Sequence, residues 1–200
     1  MGFVWEISVI LINLHLPKSL ALTSAVISVG LVSCVPSTQK IPAKATRVMS
    51  QWYDGQGPGA ISLSINLGDQ NVKVMRGNRE IGWAYVATGI EGRGTPAGTY
   101  HISEKIVDKY SNRYGWIENE FGDIVNSDAS PGDSVGPGER YMPAPMPYWM
   151  RLTDWGIGMH IGYIPQPGEP ASHGCIRMPK EFVPTLFNMV DIGTRVKISY

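Results

Sequence analysis

Cys175 stands within Ser172-His173-Gly174-Cys175-Ile176-Arg177, and a second histidine, His160, precedes it by fifteen residues. A thiol attacks a carbonyl as its thiolate, so it needs a base or positive charge close by to draw off its proton. His160 and His173 are the two candidates near in sequence, and Arg177 adds positive charge and a place for an anionic group. Gly174 permits a tight backbone in which successive N–H groups point inward as an oxyanion hole. Together these are the parts of a thiol acyl-transfer site. His160, His173 and Cys175 would also suit a zinc ion carrying a water, but no nearby Glu or second Cys supports that reading, and neither metal nor cofactor is expected. An inert buried cysteine with incidental histidines is the plainer alternative.

The other cysteine, Cys34, belongs to a different kind of sequence. Leu20 to Val32 is almost wholly apolar or small, follows Lys18 and runs into Leu31-Val32-Ser33-Cys34, which resembles a bacterial lipoprotein signal with its lipobox. That resemblance implies cleavage before Cys34, lipid on Cys34, and a domain held in the cell envelope, facing the periplasm or wall. The apolar stretch Met1 to Pro17, which contains Glu6, reads as an over-extended start. A plain transmembrane anchor is the alternative, although the run is shorter than the ~20 residues a span needs. With Cys34 in an export signal, Cys175 is expected as a free thiol. Lys+Arg and Asp+Glu both number 17, so nothing points to a polyanionic partner, and nucleic acid is set aside.

The chemistry needs a scaffold, and the chain divides into three parts: a signal segment over 1–33, a Pro-, Ser- and Gly-rich tether over 34–59, and a folded domain over 60–200. Ile61, Leu63, Ile65 and Leu67 alternate with polar residues, the period of a half-buried strand, and Gly68-Asp69 marks a turn. Asn71 to Met75, Ile81 to Ala87 and Tyr100 to Lys105 read as further strands, which predicts an antiparallel β-sandwich or barrel-like domain. Ile106 to Pro147 shows no sustained period and reads as a lid or an insertion bordering the site. Pro179 opens a short helix through Phe182, Val183, Leu186, Phe187 and Val190, with Glu181 near its positive end and Gly193 as its stop. Val196, Ile198 and Tyr200 alternate as a last strand. Tyr148 and Trp149 are candidates to line a substrate cleft, and Trp155 is assigned to the core.

The motif Ser172-His173-Gly174-Cys175-Ile176-Arg177 resembles the signature of the L,D-transpeptidase (YkuD) catalytic domain family, with His160 at the place of its upstream histidine. Thr88-Gly89 leading to Gly94-Thr95-Pro96-Ala97-Gly98-Thr99-Tyr100 resembles the family's Thr-Pro loop, and Met146 to Leu152 through Met159-His160 its approach to the histidine. The resemblance covers roughly residues 60–200 and implies a mainly β fold with a short helix. It implies that Cys175 is the nucleophile and His160 its general base, oriented by the backbone carbonyl just after it. Ile161 follows the histidine here, where the family often has Gly or Ser. His173 is then expected beside the thiolate, the amides of His173, Gly174 and Cys175 as oxyanion donors, Ser172 at the substrate, and Arg177 holding the loop or receiving a substrate carboxylate.

The implied reaction is a 3→3 crosslink between peptidoglycan stem peptides through a Cys175 thioester with release of D-Ala, without a cofactor. An L,D-carboxypeptidase, in which water accepts the acyl group, is the first alternative. A non-catalytic, lipid-anchored wall-binding protein is the alternative from another class, and attachment of a protein to the wall is a third product.

Overall fold

Leu63 and Ile65 are buried and Ser62, Ser64 and Asn66 half-buried, so the alternation read in the sequence forms a strand, β2 (Ile61–Asn66), in the computed structural model, which describes residues 47–200. The expectations for 1–33, for Cys34 and for the tether up to residue 46 lie outside the described residues. Asn66 Oδ1 accepts the Asp69 N–H at 2.8 Å and turns the chain into β3 (Asn71–Arg76), which pairs with β2 in register. Gly77, at φ +59°, closes the next hairpin into β4 (Arg79–Tyr85), because a two-residue turn of this hand requires positive φ.

The end of the expected tether is not a tether. Ser50–Trp52 is a strand, β1, paired antiparallel with β4, and the Trp52 ring stacks on Phe182 with centroids 4.4 Å apart. The physical reason is that Trp52 has an apolar ring to bury, which the Gly- and Pro-rich composition around it obscured.

Tyr100 to Lys105, read as one strand, is two. β5 (Gly98–His101) pairs with β13 (Arg195–Ser199), whereas β6 (Glu104–Ile106) pairs with β10 (Trp149–Arg151) in another sheet. The chain changes sheets at Ile102, which is buried and gives its N–H to Thr194.

The segment Ile106 to Pro147 carries a sheet of its own, β7 (Tyr110–Glu118), β8 (Ile124–Ala129) and β9 (Arg140–Pro145), with β7 central. Register shifts interrupt both pairings, and β8 is exposed along most of its length. A sheet that buries so little and carries bulges has no clean period to read.

Two larger sheets complete the domain. One runs β1-β4-β3-β2-β13-β5, the other β12 (Ile176–Met178), β11 (Gly158–Ile161), β10, β6. Most pairings are antiparallel, but β13 with β2 and β11 with β12 are parallel. The helix α1 (Val183–Met189) has Pro184 in its first turn. Pro179 lies earlier, its carbonyl accepting the N–H groups of Phe182 and Val183, so Glu181 precedes the helix. The helix stops at Met189, and Gly193 shapes the following turn toward β13. Leu63, Ile65, Val72 and Ile198 of the first sheet, Met150, Met159 and Met178 of the second, and Phe182 and Leu186 beside them form one apolar cluster.

Candidate active site

The parallel pairing of β11 with β12 sets the site. Met159 pairs with Ile176 and His160 with Arg177, so alternation divides these strands into two faces. Met159, Ile176 and Met178 enter the core, which turns His160, Cys175 and Arg177 to the other side. All three line one cavity of about 290 Å³, together with Ser111, Tyr114, Met146 and His173. A second cavity of about 210 Å³ also reaches Cys175 and shares Ser111, Tyr114 and Met146 with the first; Arg151, Trp149, Asp154 and Trp155 are among its other walls. The nucleophile candidate thus lies between two cavities, and the expectation that the segment after Ile106 borders the site holds.

His160 is 7 % exposed, and its Nδ1 lies 2.7 Å from the Ile161 carbonyl oxygen. A carbonyl only accepts, so Nδ1 carries the proton and Nε2 keeps its lone pair free. Burial, and then the positive charge of Arg177, push the imidazole down to about 4 against the pull of that hydrogen bond. Burial pushes the Cys175 thiol up, while a backbone hydrogen bond from Gly158 and the charge of Arg177 draw it the other way. The resting site is therefore a neutral thiol beside a neutral imidazole, and the thiol donates to the Gly156 carbonyl at 3.5 Å.

The motif loop is held by its own polar atoms. Ser172 is buried; its Oγ donates to the Cys175 carbonyl at 2.5 Å and accepts the Gly174 N–H at 3.1 Å. Thr95 Oγ1 donates to the Gly174 carbonyl at 2.7 Å and accepts the Gly89 N–H at 2.9 Å. Thr88 O receives the N–H groups of Ala171 and Ser172, and Ala87 exchanges backbone bonds with Arg177. Gly174 takes φ +118°, and a Cβ there would stand 2.9 Å from Ile157 Cδ1, so no other residue fits without strain.

Four sequence assignments change. Ser172 is a brace of the loop, its hydroxyl already committed at both ends. The Gly174 amide is likewise committed, so of the three expected oxyanion donors only the amides of His173 and Cys175 stay candidates. Tyr148, at φ +58°, packs edge-on to Phe187 at 5.3 Å and lines neither cavity next to Cys175. Trp155 is 61 % exposed and lines the second cavity, not the core.

Trp149 is buried and does line that cavity, its ring 6.3 Å from that of His160. Arg177 lies along Gly162, where a Cβ would meet its Cγ at 2.6 Å. Its guanidinium donates to the Tyr163 carbonyl at 3.5 Å and, among the described residues, has no carboxylate partner.

His173 shares the first cavity with Cys175, but its ring packs on Tyr114 at 4.8 Å and its Nδ1 lies 3.8 Å from Asp128, which also faces Arg93 at 3.6 Å. Burial and then Arg93 hold this imidazole below the ordinary histidine range, against Asp128. Sequence reasoning missed Gly158, Tyr114 and Asp128. The last two arrive from the inserted sheet, and Gly158 contributes only backbone, so residue type carried no signal. Thr95 stood in the Thr-Pro loop already singled out, without its role.

A family model described as the L,D-transpeptidase catalytic domain (YkuD) matches residues 61–198. Among solved structures, an L,D-transpeptidase from Mycobacterium smegmatis is similar, with TM-score 0.54 at 15 % identity over 70 % of this chain and 59 % of that one. One from Enterococcus faecium, solved as a cysteine-to-serine mutant, has TM-score 0.53 at 21 % identity over 70 % and 50 %. A third, an LD transpeptidase in complex with imipenem, has TM-score 0.53 at 19 % identity over 70 % and 58 %. The chain spans between half and three fifths of these structures' lengths. No curated protein matches the sequence.

Proposed function

The chain belongs to the L,D-transpeptidase catalytic domain family, and on that footing we propose that it is a peptidoglycan acyltransferase with Cys175 as nucleophile and His160 as general base. His160 Nε2 takes the thiol proton as Sγ attacks the carbonyl at the L-centre of the diamino acid in a tetrapeptide stem. The oxyanion meets the amides of His173 and Cys175. The C–N bond breaks, His160 returns the proton to the departing D-Ala amine, and the stem stays as a thioester. An amine from a second stem then loses a proton to His160 and attacks the thioester. The C–S bond breaks, and Cys175 regains the proton, leaving a 3→3 crosslink.

The observation that carries this reading is the placing of Cys175 between two cavities, since a transferase must hold a donor and an acceptor on either side of one sulfur. Arg177, free of any carboxylate partner among the described residues, is the group to receive a stem carboxylate. Lipid on Cys34 and a place in the cell envelope complete the proposal and rest on the sequence of 18–34 alone.

Full-length protein and its Cys175→Ala variant, incubated with a purified disaccharide-tetrapeptide and weighed by mass spectrometry, test it. A crosslinked dimer one alanine lighter, absent with the variant, is the expected product. Tripeptide monomer alone makes the enzyme an L,D-carboxypeptidase, and unchanged substrate in both samples rejects the catalytic reading. Imipenem, bound by one of the similar structures, is expected to add its mass to the wild-type protein and not to Cys175→Ala.

A further inference from the structure

One row of residues across the β6-β10-β11 sheet is not used by the chemistry above. Glu104 pairs with Arg151, and Arg151 with Gly158 of β11, the strand that carries His160. A single oxygen of Glu104, Oε2, accepts three hydrogen bonds: from Trp149 Nε1 at 2.9 Å, and from Arg151 Nε and Nη2 at 3.1 and 3.0 Å. A buried indole needs an acceptor for its N–H, and this carboxylate is the one it has.

Trp149 lies between that anchor and the reacting groups. It is 2 % exposed, with its ring 6.3 Å from the His160 ring. Its far edge closes on the backbone of β11 so tightly that a Cβ on Gly158 would stand 2.5 Å from Cη2. The indole therefore sits between its Glu104 anchor and the strand that carries His160, with its ring next to the imidazole. It cannot turn without leaving its own buried N–H unbonded.

We propose that Glu104 is a positioning residue for Cys175 and His160. It acts through Trp149, whose ring fixes the imidazole and walls the cavity at Cys175, excluding water from both. The proposal rests on Cys175 and His160 being nucleophile and base. In it, Glu104 touches neither substrate nor reacting atom.

The test is the rate at which iodoacetamide alkylates Cys175 in the full-length protein as a function of pH, read on the Cys175-containing peptide so that Cys34 does not contribute. Wild type, Trp149→Phe, Glu104→Ala and Glu104→Gln are compared, each with its thermal melt. Trp149→Phe keeps a ring and every charge but deletes the anchored N–H. Its thiol titration is expected to fall toward the ordinary cysteine value by about one pH unit as water enters. Glu104→Ala is expected to move the profile as well and to lower kcat about tenfold with KM little changed. Glu104→Gln, which keeps an oxygen for the indole, is expected to recover most of the wild-type profile.

Variants that melt lower but keep the wild-type profile and kcat make Glu104 a purely structural residue and overturn the proposal. His160→Ala separates this failure from that of its premise: if that change leaves the wild-type alkylation profile unmoved, Cys175 and His160 are not a pair, and the proposal falls with the pair.

Discussion

His160 gives its Nδ1–H to Ile161, and burial pushes it down to about 4, so it remains an unprotonated base well into the acid range. The acid limb of kcat/KM is accordingly expected near pH 4, not near 6.5, in a pH series with tetrapeptide substrate. The same shift is a stability statement. The unfolded chain takes up this proton below about pH 6.5 and the folded chain only near 4, so stability is whole above 6.5 and is lost progressively as pH falls between the two. Melting temperatures recorded across that window should decline, and less steeply in His160→Asn. Arg177 also belongs at this scale. Replacing it with Gln removes the cation facing both groups, which is expected to raise the Cys175 thiol further and to raise KM for a stem peptide roughly tenfold, the value of one charge-assisted hydrogen bond.

The motif works because neighbouring elements brace it. Ser172 Oγ bonds both the Gly174 amide and the Cys175 carbonyl. Ser172→Ala leaves two polar groups at the nucleophile without partners and is expected to cost about 1–3 kcal/mol in a urea titration and to slow acylation. A Ser172→Ala protein with unchanged stability and kcat would remove the brace from the argument. Strand β1 is a second such element. Trp52 stacks on Phe182 at the foot of α1, and Trp52→Ala is expected to destabilise the domain by roughly 3 kcal/mol, which a residue in a loose tether would not do.

At the scale of the molecule, the inserted sheet β7-β8-β9 walls the face of the second sheet that carries Cys175 and so makes it a cleft. Ser111 and Tyr114 of β7 wall both cavities at Cys175, and Asp128 of β8 reaches His173 and Arg93. If the proposed transfer holds, these walls are what would keep an amine acceptor in place against bulk water. Replacing residues 112–144 with a short loop is expected to shift the products from crosslinked dimer toward tripeptide monomer. An unchanged dimer-to-tripeptide ratio would show that the insertion does not govern the acceptor.

Much was legible in the residues themselves. The six-residue motif with His160 identifies the family, because the chemistry demands those types at adjacent positions. Strands such as β2 and β13 show in the alternation of Leu63 and Ile65 or Val196 and Ile198, because burying one face of a sheet imposes a period of two. The tertiary structure decided what no local pattern encodes. Tyr148 faces Phe187 and Trp155 faces the cavity, Ser172 is spent within its own loop, and Tyr100 to Lys105 serves two sheets. Glu104, far from the motif in sequence, anchors the Trp149 ring beside His160. The reason is physical: periodicity records which face of an element is buried, whereas the partner of a given polar atom depends on how separate elements cross, and that is settled only when the whole core closes.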